Sequence, residues 1–168
     1  MREHTFESEI FLPHPRGTVF AFFSEAKNLG ELTPKTLGFE ILPPVPLAMG
    51  EGTVIDYRIR LRGWPMHWRS RICGWQPPRE FSDQQLRGPY GFWLHRHMFD
   101  EVEGGTLVRD HVRYTLPFPP LGELVHPLVR AELRHIFRFR QQAMERIFPA
   151  EGNGTSSQGS RGGFRRNA

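Results

Sequence analysis

With 168 residues, of which 38% are hydrophobic and 14 are phenylalanine, the chain has the size and the bulky apolar content of one domain around a single core. No apolar run approaches a membrane span, the acidic N-terminal region shows no export signal, and the single cysteine, Cys73, excludes an internal disulfide, so we expect a cytoplasmic protein. The net charge of +4 comes from an arginine excess that a genomic bias produces as readily as phosphate binding, so it predicts no nucleic-acid function by itself.

The N-terminal part of the chain predicts a strand, two short helices and a second, short strand. Residues 5–13 alternate between polar and apolar side chains, which is typical of a half-buried strand. Residues 14–30 have a helical pattern, and Pro15 is suited to the first turn of that helix. A second helical piece is expected over residues 30–38, and a strand that prolines stop is expected over residues 39–46.

A run of antiparallel strands is expected to follow, because polar and apolar side chains alternate along three consecutive segments. These segments are residues 52–62, 65–75 and 79–88. In the second segment Trp68 and Ser70 share one face, and in the third, less regular segment Asp83 and Gln85 share one face. Both strands therefore carry polar side chains on the face that their bulky apolar residues occupy.

The segment GPYGFWLHRHMFDEVEGGT, residues 88–106, carries two histidines one residue apart. On a strand, His95 and His97 point to the same face, roughly 6–7 Å apart. The pair is compatible with a metal clamp, a catalytic pair, the polar lining of a pocket or two solvated surface residues. The choice among these depends on whether that face points to the interior.

The turn that follows this strand indicates whether the face that carries the two histidines points to the interior. Gly104-Gly105 has the composition of a two-residue hairpin turn, which predicts that His97 lies opposite Val112 and His95 opposite Tyr114 on the returning strand. Arginines alternate with these partners along the returning strand and belong in water, because burying them would be costly. Paired residues share a face, so both histidines are expected to point inward.

From Leu121 to Phe148 the apolar residues recur with a period of 3.6, which predicts a long C-terminal helix with one buried face. Pro127 predicts a break or a second start within it. The expected apolar stripe is Val125, Val129, Leu133, Ile136, Ala143 and Ile147, and the opposite, solvated face carries Arg130, Arg134 and Arg138. Beyond residue 149 the chain is rich in Gly and Ser, so we expect one domain over residues 1–149 and a disordered tail over residues 150–168.

The inward positions of the strands are too polar for a dry core. Buried polar groups need partners or water, and large aromatic side chains mixed with a few polar groups are typical of a ligand cavity. We therefore expect a binding cavity on this face of the sheet. The expected ligand-binding residues are Trp68, Ser70, Asp83, Gln85, Trp93, His95, His97, Phe99, Asp110 and Tyr114.

The order of the elements and several short motifs resemble the START/SRPBCC superfamily, and more narrowly its bacterial branch described as cyclase/dehydrase-like or ligand-binding. The motifs are W-x-S-x-I at residues 68–72, F-x-D-x-Q at 81–85, GPY-x-x-W-x-H-x-H-x-F at 88–99, NLGELTP at 28–34, IFRFRQ at 136–141, and Asp110 with Tyr114 and Pro117. The resemblance covers about residues 3–148. It implies an α+β helix-grip fold, in which a curved antiparallel sheet of about seven strands wraps around a long C-terminal helix, two short helices follow the first strand, and a hydrophobic cavity lies between sheet and helix.

The resemblance implies that the protein binds a small hydrophobic or lipid-like molecule in this cavity, without a cofactor. By the same analogy the mouth of the cavity is expected near residues 27–37 and 115–122. The alternative is a cyclase- or dehydratase-type enzyme that acts on a polyketide-like substrate through a His/Asp acid–base pair, which Asp83 could also join, with a tyrosine as proton donor to a carbonyl. The candidate catalytic residues are His95, His97, Asp110 and Tyr114.

Two other functions receive less support from the sequence. A metal clamp at His95 and His97 would need a third ligand, for which Asp110 and Asp83 are candidates. The later motif expected of a cupin is absent, however, and the long terminal helix is foreign to that barrel, so we predict no metal. The arginines of the last helix and of the tail are explained by a solvated helix face and a disordered segment, so we predict no nucleic-acid partner.

Overall fold

The structure of the protein is a computed structural model that describes residues 2–43, 46–61, 63–118 and 120–150. Its strands are β1 (Glu3–Leu12), β2 (Glu40–Ile41), β3 (Val54–Leu61), β4 (Trp64–Gln76), β5 (Glu80–Arg87), β6 (Phe92–Val102) and β7 (Gly105–Thr115). Its helices are α1 (Arg16–Phe23) and α2 (Leu121–Ile147), with two 3-10 helices at Ala26–Gly30 and Lys35–Leu37. The tail expected over residues 150–168 lies outside the described residues, except for Ala150.

The strands form one antiparallel, seven-stranded sheet in the order β1-β7-β6-β5-β4-β3-β2. The sheet is curved, and α2 packs against its inner face. The helix-grip fold expected from the sequence is therefore confirmed, including the short helices after the first strand. Among the described helices, none combines the length and the apolar character needed to cross a membrane.

Apolar side chains between the sheet and α2 form two separate clusters. The first cluster joins α1 and the C-terminal end of α2 to the sheet, and it includes Phe99 and Met144. The second cluster joins the middle of α2 to β4, β6 and β7, and it includes Trp93 and Leu133. Several strands and α2 run from one cluster to the other, and they carry polar side chains in the region between the two clusters. The candidate site lies in this region.

Helix α1 is shorter than the helix expected over residues 14–30, because side chains close its last turn. Ser24 Oγ donates a hydrogen bond to the carbonyl of Ala21 at 3.0 Å, and Asn28 Nδ2 donates to the carbonyl of Phe22 at 2.8 Å. These bonds satisfy carbonyls that would otherwise accept from a further helical turn. The chain then continues as a 3-10 helix.

Helix α2 runs without a break through Pro127, so the expected break or second start is wrong. Pro127 lies on an exposed side of the helix. The carbonyl of Glu123, which loses its intrahelical N–H partner there, can therefore be solvated. The buried face also differs from the expected stripe, because Val125 is 47% exposed whereas Phe137 and Arg140 are buried.

The β6–β7 hairpin turns one residue earlier than expected. Glu103 and Gly104 form the turn, and Gly105 begins β7 opposite Val102. Gly104 has a φ angle of +79°, a conformation that favours glycine. A Cβ atom on Gly105 would lie 2.2 Å from the carbonyl oxygen of Leu12. The end of β1 therefore packs directly against the backbone at the start of β7.

This turn shifts the pairing of β6 and β7 by two residues. His97 lies opposite Asp110 and His95 lies opposite Val112, instead of the expected partners Val112 and Tyr114. A shift of two residues keeps every side chain on the same face of the sheet. Both histidines therefore point inward, as expected, and both are buried.

Gly105→Ala is expected to lower the free energy of unfolding by about 1–3 kcal/mol, because the added methyl group overlaps the Leu12 carbonyl and β1 must move. Gly17→Ala is the matched control, since nothing lies within 4 Å of the added methyl group in α1. Its effect is expected to be neutral or stabilising by about 0.5–1 kcal/mol. Urea-induced unfolding followed by circular dichroism measures both changes. Equal unfolding midpoints would contradict the close approach of β1 to this turn.

Candidate functional site

A layer of polar side chains separates the two apolar clusters. In β4, Ser70 lies between Trp68 of the second cluster and Ile72 of the first. In α2, Arg140 likewise lies between residues of the two clusters. We call this set the polar layer, and its members are Ser70, Asp83, His95, His97, Asp110 and Arg140. All of them are buried except Asp83, which is partly buried.

The polar layer contains a buried ion pair between α2 and β7. Arg140 Nε donates to Asp110 Oδ2 at 3.1 Å, and Arg140 Nη2 donates to Asp110 Oδ1 at 3.3 Å. Burial alone would raise the pKa of Asp110, but the positive charge of Arg140 and hydrogen bonds from the two histidines outweigh burial and hold this pKa well below its usual range. The guanidinium also lies over the ring of Phe23, 5.0 Å from its centroid.

The same carboxylate holds both histidines. His95 Nε2 and His97 Nδ1 each lie 2.9 Å from Asp110 Oδ1. Because an ionised carboxylate oxygen only accepts, we assign a hydrogen to each of these two nitrogens. Arg140 Nη2 also lies 3.1 Å from His97 Nδ1. The shorter contact with the carboxylate determines the hydrogen position, because two facing lone pairs at 2.9 Å would repel each other.

The opposite edges of the two imidazole rings face Asp83 of β5. Asp83 Oδ2 lies 3.1 Å from His97 Nε2 and 3.4 Å from His95 Nδ1. Burial alone would raise the pKa of Asp83, but contacts with both histidines lower it. Burial would likewise lower the pKa of His97, but its bonds to Asp110 and Asp83 raise it. The pKa of His95 is lowered by burial and by repulsion from His97.

A cavity of 260 Å³ lies between the sheet and α2, directly against the polar layer. Its walls are mostly apolar and aromatic, and its polar side is formed by members of the polar layer. The indole rings of Trp68 and Trp93 meet edge to face in the wall, with centroids 5.4 Å apart. The most exposed lining residues are Val125 and Leu128 of α2, at 47% and 53%. The cavity therefore meets the surface beside the first turns of α2.

The structure brings six of the residues expected to bind a ligand together in the cavity wall. They are Trp68, Ser70, Asp83, Trp93, His95 and His97. The expected mouth segment at residues 27–37 also contributes to the wall, whereas the described part of residues 115–122 does not.

The other four expected ligand-binding residues lie behind the cavity wall. Gln85 Nε2 donates to the carbonyl of Tyr90 at 2.9 Å and so helps to position a residue of the wall. Phe99 belongs to the first apolar cluster, and Asp110 lies behind the two histidines. The hydroxyl of Tyr114 pairs with His126 Nε2 at 3.1 Å.

Sequence reasoning missed Arg140, which lines the cavity and completes the polar layer. A signal for it was present. Arg140 comes seven residues after Leu133 and three before Ala143, so it lies on the apolar stripe rather than with Arg138 on the solvated face. An arginine on such a stripe needs a buried acidic partner, and Asp110 was already expected to point inward.

Arg140→Met is expected to lower the free energy of unfolding by about 3–5 kcal/mol, because it leaves Asp110 charged and buried without its cation. Arg138→Met is the matched control on the exposed side of the same helix. It is expected to change stability by no more than about 0.5 kcal/mol. Chemical denaturation at neutral pH measures both values. If Arg140→Met were no more destabilising than the control, the buried ion pair would not organise this site.

Solved structures of low sequence identity share the fold. The Zhui aromatase/cyclase from Streptomyces sp. R1128 has a TM-score of 0.69 and 16% identity, over 90% of this chain and 99% of that one. A START superfamily protein from Mycobacterium smegmatis has a TM-score of 0.65 and 13% identity, over 86% and 99%. Ara h 8.0201 has a TM-score of 0.58 and 21% identity, over 85% and 98%. At these identities the similarity shows the fold alone.

Sequence comparison identifies the family. No curated protein has a significant match to the chain. The family model described as polyketide cyclase/dehydrase and lipid transport matches residues 12–139, which extend from the end of β1 into the C-terminal half of α2. This match confirms the resemblance drawn from the sequence motifs. The chain therefore belongs to the polyketide cyclase/dehydrase and lipid transport family.

Proposed function

We propose that the protein binds a small, largely apolar molecule in the cavity, with the polar end of that molecule against the polar layer. The asymmetry of the cavity carries this proposal, since its walls are apolar and aromatic whereas one side presents Asp83, His95 and His97. Apolar walls with a few convergent polar groups are the usual arrangement of small-molecule sites. The name of the family, which joins cyclases with lipid transport, agrees with a ligand of this kind.

The aromatic part of the wall favours a ligand with a flat, ring-shaped apolar body. The rings of Tyr57 and Trp68 are nearly parallel, at 16° with centroids 5.9 Å apart, and Trp93 stands at 86° to Trp68. Flat faces of this kind pack well against planar rings. At the polar layer, the Asp83 carboxylate suits a hydroxyl group of the ligand, and the guanidinium of Arg140, which also lines the cavity, suits a carbonyl group.

We also propose that residues 1–149 form the binding domain, because β1 begins at Glu3 and α2 ends at Ile147. The cytoplasmic location expected from the sequence stays a prediction. So does the absence of a nucleic-acid partner.

Ile136→Trp is expected to weaken binding of the neutral naphthalene dye prodan at least about tenfold, because the larger side chain fills space in the cavity that Ile136 lines. Ile147→Trp is the matched control, since Ile147 is also half-buried on α2 but does not line the cavity. Energy transfer from tryptophan to the dye measures the affinity, and thermal unfolding checks that both variants fold. Equal affinity in the two variants would contradict binding in this cavity.

A second candidate function is a cyclase- or dehydratase-type reaction on a polyketide-like substrate. The observation that favours it is the placement of His95 and His97 in the cavity wall, with Asp110 holding each ring from behind. A base that a third group orients is a recurring arrangement in enzymes. Tyr114, which the sequence offered as the proton donor, lies outside the cavity wall, so the proton-transfer groups would be the histidines.

His95→Ala and His97→Ala separate the two functions. In a binding protein, each is expected to weaken binding of 2-naphthol, whose hydroxyl group would donate to an imidazole nitrogen of the polar layer, by about fivefold, the equivalent of one hydrogen bond of about 1 kcal/mol. In an enzyme, at least one abolishes turnover of a poly-β-ketone analogue while binding largely survives. His111→Ala on the outward face of β7 is the control. Unchanged affinity and turnover in both variants would contradict both functions for these histidines.

A further inference from the structure

Although the sequence alone predicts no metal, we propose from the structure that Asp83, His95 and His97 bind a divalent transition-metal ion at the wall of the cavity. One donor atom from each residue lies within 4.8 Å of the other two. Asp83 Oδ2 is 3.1 Å from His97 Nε2 and 3.4 Å from His95 Nδ1. A tetrahedral ion with bonds of about 2.1 Å holds its donor atoms about 3.4 Å apart. An ion therefore fits among these three atoms once the two histidine nitrogens, which lie no more than 4.8 Å apart, close around it.

Hydrogen bonding on the far side of the rings leaves acceptors on the near side. His95 Nε2 and His97 Nδ1 donate to Asp110. The other two ring nitrogens, His95 Nδ1 and His97 Nε2, therefore face the same oxygen of Asp83. A divalent ion among these three atoms would replace the proton that His97 shares with Asp83, and it would bond to both rings and to the carboxylate.

The surroundings of the three ligands are those that proteins build around metal ions. Metal-binding histidines commonly donate their other N–H group to a carboxylate, and Asp110 accepts from both rings here. Phe81 stacks on His97 with centroids 4.5 Å apart, and Phe137 packs edge-on against His95 at 5.5 Å. The three ligands also line the cavity. A coordination position therefore faces the cavity, where water or a ligand oxygen completes the set.

The ligand set favours particular metals. Two imidazoles and one carboxylate suit Zn²⁺, Fe²⁺ or Co²⁺, whereas Mg²⁺ and Ca²⁺ prefer oxygen ligands alone. We assign Zn²⁺ as the bound ion and use Co²⁺ as its spectroscopic substitute. This site goes beyond the proposed binding of an organic molecule. Because metal binding is measured without that molecule, either proposal can fail while the other holds.

Titration of tag-free, chelator-treated protein with Co²⁺ tests the site. We expect one equivalent of Co²⁺ to bind and to give the visible absorption bands of a four- or five-coordinate ion. Added Zn²⁺ is expected to displace Co²⁺ and so to abolish these bands. Asp83→Asn and His97→Gln are expected to weaken this binding by more than about 100-fold, since each removes one of three ligands. His67→Ala is the matched control, because His67 pairs with Asp56 at 2.8 Å on the opposite face of the sheet. Its titration is expected to equal that of the unaltered protein.

A thermal measurement gives a second, independent readout. Zn²⁺ is expected to raise the unfolding temperature of the unaltered protein and of His67→Ala, but not that of Asp83→Asn or His97→Gln. Three results would overturn the proposal. They are the absence of saturable Co²⁺ binding, the same bands and affinity in both ligand variants, and ¹⁵N shifts that show His97 protonated at both nitrogens with Zn²⁺ in excess.

Discussion

Arg140 of α2 and Asp110 of β7 are buried together, and neither charge can be buried alone without a large loss of stability. Their pairing therefore restricts how α2 can rotate against the sheet. The same carboxylate holds His95 and His97, so the orientation of both imidazole rings follows from the ion pair. One interaction between the helix and the sheet thus sets the polar side of the cavity.

The cavity follows from what lies on either side of the polar layer. On one side, Phe20 and Phe23 of α1 fill the first apolar cluster and pack against Phe99. On the other side, bulky rings such as Trp68 and Trp93 surround a space rather than filling it. The sheet thus meets a filled core at one end of α2 and an open cavity near its middle. A ligand in that space would contact apolar walls and the polar layer together.

Much of the fold could be predicted from the sequence, because it depends on local patterns. Side chains alternate between the two faces of a strand, and this alternation determines which face of β6 carries His95 and His97. The predicted register was wrong by two residues, which leaves that face unchanged. The register itself could not be predicted, since Glu103-Gly104 and Gly104-Gly105 both suit a two-residue turn, and the close approach of β1 to Gly105 is a contact between distant parts of the chain. Arg140 was missed for a related reason. A search for apolar periodicity passes over a charged residue on the stripe, although its partner Asp110 was expected to be buried.

The tryptophans give a direct test of ligand binding in the cavity beside the polar layer. Trp68 and Trp93 line the cavity, whereas Trp64 and Trp75 do not. In ¹H–¹⁵N spectra recorded during titration with prodan, the indole N–H signals of Trp68 and Trp93 are expected to shift with saturation, and those of Trp64 and Trp75 to stay in place. Saturable shifts confined to Trp64 or Trp75, or no shift at Trp68 and Trp93, would contradict binding in this cavity.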